Sequence, residues 1–250
     1  MARLIAARYT VFYLLILCVS SYLVMGQQVL AGVSPGDSFT YEFYVLWVSS
    51  DPNVTPPAEL YSLNETNLIR ITIKEVGGPV VVMNVTRYFK NGTSITTQTF
   101  VNILSGDGDG FGLVIAPNLN ASSVAYPYAL MNESTKDNAI PLKELTVKNY
   151  PFGQREVLHA TVNQTGSSEY ARVSHDIYFD RKTGAMLEWR TEQIPYTTPT
   201  AKIVLTWKIK DFNIKETASN PHQEQWPQTI IIIALVAVIA LVIYLRRRKK

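Results

Sequence analysis

The sequence predicts an all-β protein: an antiparallel sheet of about eight or nine strands, with an N-terminal signal helix before it and one C-terminal transmembrane helix after it. Three observations predict it. Apolar and polar residues alternate with period two along the middle of the chain. Short clusters of Gly, Pro, Asn and Asp separate those stretches. Residues 230–245 form an uninterrupted apolar run that ends in Arg246-Arg247-Arg248-Lys249-Lys250.

Residues 1–26 read as a signal peptide. Arg3 and Arg8 supply its positive start, and residues 11–25 its apolar stretch. Val24 and Gly26 are small enough for a cleavage site that would leave Gln27 first, with Ala31 as a second site; the alternative is an uncleaved anchor. Residues 27–214 then form the β domain. Ala31-Gly-Val-Ser-Pro-Gly-Asp37 is a turn-rich opening, followed by a strand in which Tyr41, Phe43, Val45 and Trp47 share one face. Three prolines between 51 and 57 interrupt the ladder.

Ile69, Ile71 and Ile73 alternate with Arg70, Thr72 and Lys74, which predicts a half-buried strand. Gly77-Gly78-Pro79 turns into a strand over 80–89, and Asn91-Gly92 is a strong hairpin signal leading into 94–104. A short strand is expected over 111–115. Four prolines interrupt 116–154, where the only helix candidate is 142–148. Strand patterns return over 156–162, 168–179, 185–191 and 201–212, with Asp180-Arg181-Lys182-Thr183-Gly184 joining two of them. Alternation leaves a sandwich and an open, curled barrel as alternatives.

Residues 215–228 read as a polar stalk, 229–245 as the transmembrane helix and 246–250 as a cytoplasmic tail. With Trp226 in front, the apolar segment is about 20 residues, enough for a hydrocarbon core of roughly 30 Å. The basic cluster stays on the cytoplasmic side, so the β domain is expected outside the cell as a single-pass type I protein.

Charge and cysteine narrow the class. Seven of the 23 Lys and Arg lie in the first 26 or last five residues, leaving 16 against 20 Asp and Glu, a balance of −4 for the outer part. The net charge of +3 is therefore no argument for nucleic acid, and none is expected as a partner. The one cysteine, Cys18, lies in the signal stretch, so the β domain has no disulfide and relies on its core.

The clearest chemical pattern is the N-x-[ST] sequon, heading at Asn53, Asn64, Asn84, Asn91, Asn120, Asn132 and Asn163. With Ser and Thr at about 15% of residues, fourteen asparagines would give roughly two by chance. These seven are the candidate glycosylation sites; Asn53, followed by Thr55-Pro56, is the weakest. Asp107-Gly-Asp109-Gly has the alternate oxygens of a calcium loop but lacks its later ligands, so it reads as a glycine-rich turn. His159, His175 and His222 show no metal spacing, and no G-x-S-x-G elbow or phosphate-binding glycine loop occurs. His175-Asp176 reads as one core-facing and one solvent-facing strand residue. No catalytic residue, cofactor or metal is expected.

Two stretches carry a resemblance. Gly32-Val-Ser-Pro-Gly-Asp-Ser-Phe-Thr-Tyr41, with the C-terminal apolar helix, resembles the opening of uncharacterised archaeal single-pass surface proteins. Tyr178-Phe-Asp-Arg-Lys-Thr-Gly-Ala-Met-Leu-Glu-Trp189 resembles a hairpin common in those proteins, and is also similar to hairpins in the curved sheets of lipoprotein-carrier domains. The resemblance implies a β ectodomain on a membrane helix and carries no activity or site residues.

The expected function is a membrane-anchored, N-glycosylated, non-enzymatic module for binding, adhesion or envelope structure. Its partners would be the lipid bilayer and envelope proteins or glycans. The alternative is a carrier or sensor of an apolar ligand held in a curved sheet. The sequon-free stretch 166–212 is the expected partner-facing surface.

Overall fold

Ten strands form one antiparallel sheet in a computed structural model that describes residues 31–165, 169–198 and 200–214. They are β1 (Ser38–Ser49), β2 (Thr66–Gly77), β3 (Val80–Phe89), β4 (Ser94–Asn102), β5 (Val124–Ala125), β6 (Ile140–Tyr150), β7 (Gly153–Thr165), β8 (Tyr170–Asp180), β9 (Met186–Pro195) and β10 (Ala201–Asn213). One short helix, α1 (Ala58–Asn64), lies between β1 and β2.

The order across the sheet is β4-β3-β2-β1-β10-β9-β8-β7-β6-β5. Two meanders therefore run outward from the centre, where the first and last strands pair along their whole length from Ser38↔Asn213 to Ser49↔Ala201. Pairing the first and last described strands at the centre locks both meanders into one sheet. It also excludes the sandwich: there is a single sheet with edges at β4 and β5, and it is not closed.

The strands differ from the expected eight or nine at three places. Residues 142–148 are not helical but belong to β6, paired with β7 from Leu142↔Ala160 to Tyr150↔Gly153. Thr146 and Val147 are β-branched, and pairing with β7 outweighs the weak helical period. The two-residue β5 is the other addition. The strand expected over 111–115 is instead a turn with one isolated bridge, Val114↔Ala185.

The sheet is curled. The Gly110 amide donates to Phe100 of β4 at 2.8 Å, and Leu113 accepts from Met186 of β9 at 3.0 Å. Between them Leu113 donates to Gly110 at 3.1 Å, a turn whose end Cα atoms are within about 7 Å. In a flat sheet β4 and β9 would stand five spacings, roughly 24 Å, apart. Only a sheet rolled around this turn brings them so close.

What it rolls around is the strap, residues 103–139. Its Leu113, Val114, Ile115, Ala116, Ala125, Tyr126 and Ala129 are buried in one cluster with Phe39 and Tyr41 of β1, Ile71 and Ile73 of β2, Met83 of β3, and Ile177 and Phe179 of β8. These strand residues are the apolar half of the predicted alternation. The strap joins both sheet edges: the Gly106 amide donates to Asn102 O of β4 at 2.8 Å, and β5 pairs with β6.

Among the described residues no helix is long and apolar enough to cross a membrane. The apolar runs at 11–25 and 230–245, the stalk and the basic tail lie outside the described residues.

Candidate functional surfaces

The concave face is occupied by the chain itself. Tyr126 anchors the strap there. It stands at φ 59° with its hydroxyl fully buried, donating to Val114 O and accepting from Gly112 N, both at 2.9 Å. Burial pushes this phenol far above its ordinary pKa. Tyr41 is buried in the same way and donates to Met186 O at 2.7 Å.

The Asp180–Gly184 hairpin is the socket for the strap. Asp180 is 1% exposed; its Oδ2 accepts from the Thr183 amide at 2.9 Å and the Thr183 hydroxyl at 2.7 Å. Gly184, at φ 74°, closes the turn and accepts from the Ile115 amide at 2.9 Å. A Cβ at Gly184 would lie 2.0 Å from Ile115 O, so glycine is required here by backbone conformation and by space. The Asp180–Gly184 turn, beyond joining two strands, is therefore a packing device.

Above the strap, the concave face carries Phe43, Trp47, Trp189 and Trp207, all half-buried. Phe43 and Tyr41 meet Trp207 edge-on, with centroids 5.8 and 5.9 Å apart. His175 lies here, against Trp189 (Nε1 to Nδ1, 3.2 Å) and Thr191 (2.9 Å). Burial lowers its pKa, partly opposed by Asp176. The Tyr170 phenol of β8 is pushed up by burial first, then by Glu169 and by Glu59 of α1.

His159 sits on the opposite, outer face. It stacks on Tyr178 with centroids 4.5 Å apart, 3.2 Å from Glu144 and 3.3 Å from Asp176. Both carboxylates are solvent-accessible. The same outer face carries Lys148, 2.6 Å from Glu188 and 3.7 Å above the Tyr178 ring. Neither His159 nor His175 meets a buried carboxylate, and the described residues gather no set of three His, Cys, Asp or Glu able to hold a metal. Residues 105–112 fold back on β4, with the Asn102 amide donating to Asp107 O at 2.8 Å.

Two open clefts are polar. One, about 410 Å³, is lined by Asn118, Gln154, Arg155, Glu156, Asp180, Arg181 and Lys182; Arg181 is held there by Glu156 and the Asn120 side chain, both at 2.9 Å. The other, about 330 Å³, lies where β1 and β2 part: their pairing ends at Glu42↔Leu68. Its walls are Glu42–Val45 on one side and Asn64, Thr66, Asn67 and Leu68 on the other, with Lys90 and Lys210 at the rim. The Tyr44 hydroxyl, at 2.5 Å, and Lys210 hold Glu42 below the usual carboxylate range.

All seven candidate glycosylation sites reach the surface. Asn53, Asn64, Asn91, Asn120, Asn132 and Asn163 are exposed, and Asn84 is half-buried in the middle of β3. Their surroundings differ. At Asn91 and Asn132 the sequon hydroxyl donates to the asparagine Oδ1, from Thr93 at 2.7 Å and Ser134 at 2.9 Å. At Asn53 the Nδ2 itself donates to Asp51 at 3.2 Å. The sequon-free strands β8 to β10 form the middle of the sheet and show one outer face, with Arg172, Arg190, Lys208 and Lys210 exposed.

No family model matches this chain, and no curated protein matches it significantly. Among solved structures, a candidate lipoprotein from Parabacteroides distasonis aligns over 74% of this chain and 100% of its own, at 12% identity and a TM-score of 0.37.

Proposed function

We propose that the chain is a membrane-anchored, N-glycosylated surface protein whose curled β domain acts as a non-enzymatic binding, adhesion or envelope-structure module. One observation supports it most: the interior of the curl is filled by the protein's own strap, while every sequon asparagine lies outside. A protein that fills its concave face offers its outer face to partners. That outer face is free of sequons over β8, β9 and β10. The apolar runs on either side of the β domain supply the anchor, and the resemblance of the opening stretch to archaeal surface proteins fits this layout.

The carrier reading has the half-buried Trp47, Trp189 and Trp207 above the strap in its favour. The strap counts against it, because it occupies the place where an apolar ligand would seat. An enzymatic reading would need a nucleophile or acid–base pair in a cleft, and the two described histidines, His159 and His175, lie on opposite faces of the sheet.

The test is mass spectrometry of the protein extracted from native membranes. Glycopeptides at several of the seven asparagines, with the C-terminal apolar peptide retained in the lipid fraction, support the proposal. Bare asparagines in a protein released by a salt wash would end it.

A further inference from the structure

β1 has an exposed flank. Beyond Glu42 it runs on to Ser49 paired with β10 alone, while β2 diverges into α1. Every residue from Phe43 to Val48 is large and apolar, and Tyr44, Leu46 and Val48 are 52%, 55% and 46% exposed. An apolar strand with a free edge is a template for unwanted pairing, and folded proteins cover such edges. The cleft of about 330 Å³ lies against the start of this edge. Asn64 is one of its lining residues and heads the sequon Asn64-Glu65-Thr66.

We propose that the glycan on Asn64 seats its first sugars in the cleft between β1 and β2 and so covers the open edge of β1. The inference rests on the N-glycosylation read above, applied to this one site. The cleft suits a saccharide. Its size is at the lower end of the roughly 300–1,000 Å³ of small-ligand sites. Phe43, Val45 and Leu68 offer apolar surface to sugar C–H faces. Asn67, Lys90 and the backbone of the free edge offer hydrogen bonds to hydroxyls. The tether is already in place, so the sugars are held at high effective concentration.

The test compares hydrogen exchange of the 43–48 amides in the native protein and in Asn64→Gln, Asn64→Asp and Asn132→Gln variants from the same host. Peptide mass spectrometry first establishes which asparagines carry sugar. With Asn64 occupied, both Asn64 variants should exchange at 43–48 at least tenfold faster than native, while Asn132→Gln matches native. Equal exchange in all four proteins overturns the proposal. A bare Asn64 beside glycosylated sites elsewhere overturns it too, and leaves the glycoprotein reading intact. Bare asparagines throughout overturn both.

Discussion

Gly32 lies against Thr183: a Cβ on Gly32 would be 2.6 Å from the Thr183 carbonyl oxygen and 2.7 Å from its Cα. The two stretches that carry the sequence resemblance thus touch in the fold, though about 150 residues separate them. Pro117 of the strap is the third member, 2.8 Å from the same position. Next to it Val33 is 3% exposed in the core, the Ser34 amide donates to Asp37 Oδ2 at 2.7 Å, and the Ile73 amide donates to Asp37 O at 2.9 Å. Opening segment, strap and Asp180–Gly184 hairpin form one joint at this end of the sheet.

That joint predicts a sharp difference between two glycine substitutions. Gly92→Ala places a methyl group in open space at φ 86° and should cost about 1 kcal/mol from backbone conformation alone. Gly184→Ala combines a positive φ with a methyl 2.0 Å from Ile115 O, so the strap must leave its socket. A loss of more than about 3 kcal/mol is expected for it. Urea unfolding of the β domain followed by tryptophan fluorescence measures both; equal losses would remove the hairpin's role as socket.

The strap's anchor makes a second prediction. Tyr126→Phe leaves the buried Gly112 amide and Val114 carbonyl without their shared partner. Tyr41→Phe orphans one carbonyl, Met186 O. Each unsatisfied buried group costs about 1–3 kcal/mol, so Tyr126→Phe should be the more destabilising. Denaturant midpoints of the two variants decide it; a neutral Tyr126→Phe would mean that the strap is held by apolar packing alone.

Alkaline stability follows from the same tyrosines. Burial raises the phenol pKa values of Tyr41 and Tyr126 well above the model-peptide value near 10. The folded state therefore keeps protons that the unfolded chain loses above about pH 10, and stability falls as pH rises beyond that point. A spectrophotometric titration should show these two phenols ionising only together with unfolding. Full ionisation of every tyrosine in a chain that keeps its β signal would contradict it.

On the acid side His175 acts in the opposite sense. Its folded pKa lies below its unfolded value because burial beside Trp189 disfavours the charged ring. The unfolded chain takes up this proton first, so stability should fall as pH drops through about 6.5. His175→Gln should flatten that part of the stability–pH curve. The same slope in both proteins would assign the acid sensitivity to other groups.

Strands with one covered face were legible because their period is two. Ile69, Ile71 and Ile73, or Ile177 and Phe179, announce a core face without any knowledge of the partner strand. Strap residues 113–116 were not, since a segment buried from both sides has no polar phase to alternate with. β6 was missed for a related reason: Leu145 and Val147 are apolar yet exposed, which blurs the period. α1 begins after Pro57, inside a proline cluster that reads as loop. As to the candidate sites, sequons are local patterns and are read directly. The cleft that Asn64 lines depends on where β1 and β2 part, which is a property of register between distant segments.

The most direct measurement is protease digestion of intact cells, with antibodies to the β domain and to the C-terminal tail. The account predicts that 31–214 is shaved from the outside while the tail epitope survives until the cells are lysed. Digestion of the tail epitope with the β domain left intact would place the sheet on the other side of the membrane and contradict the account at its root.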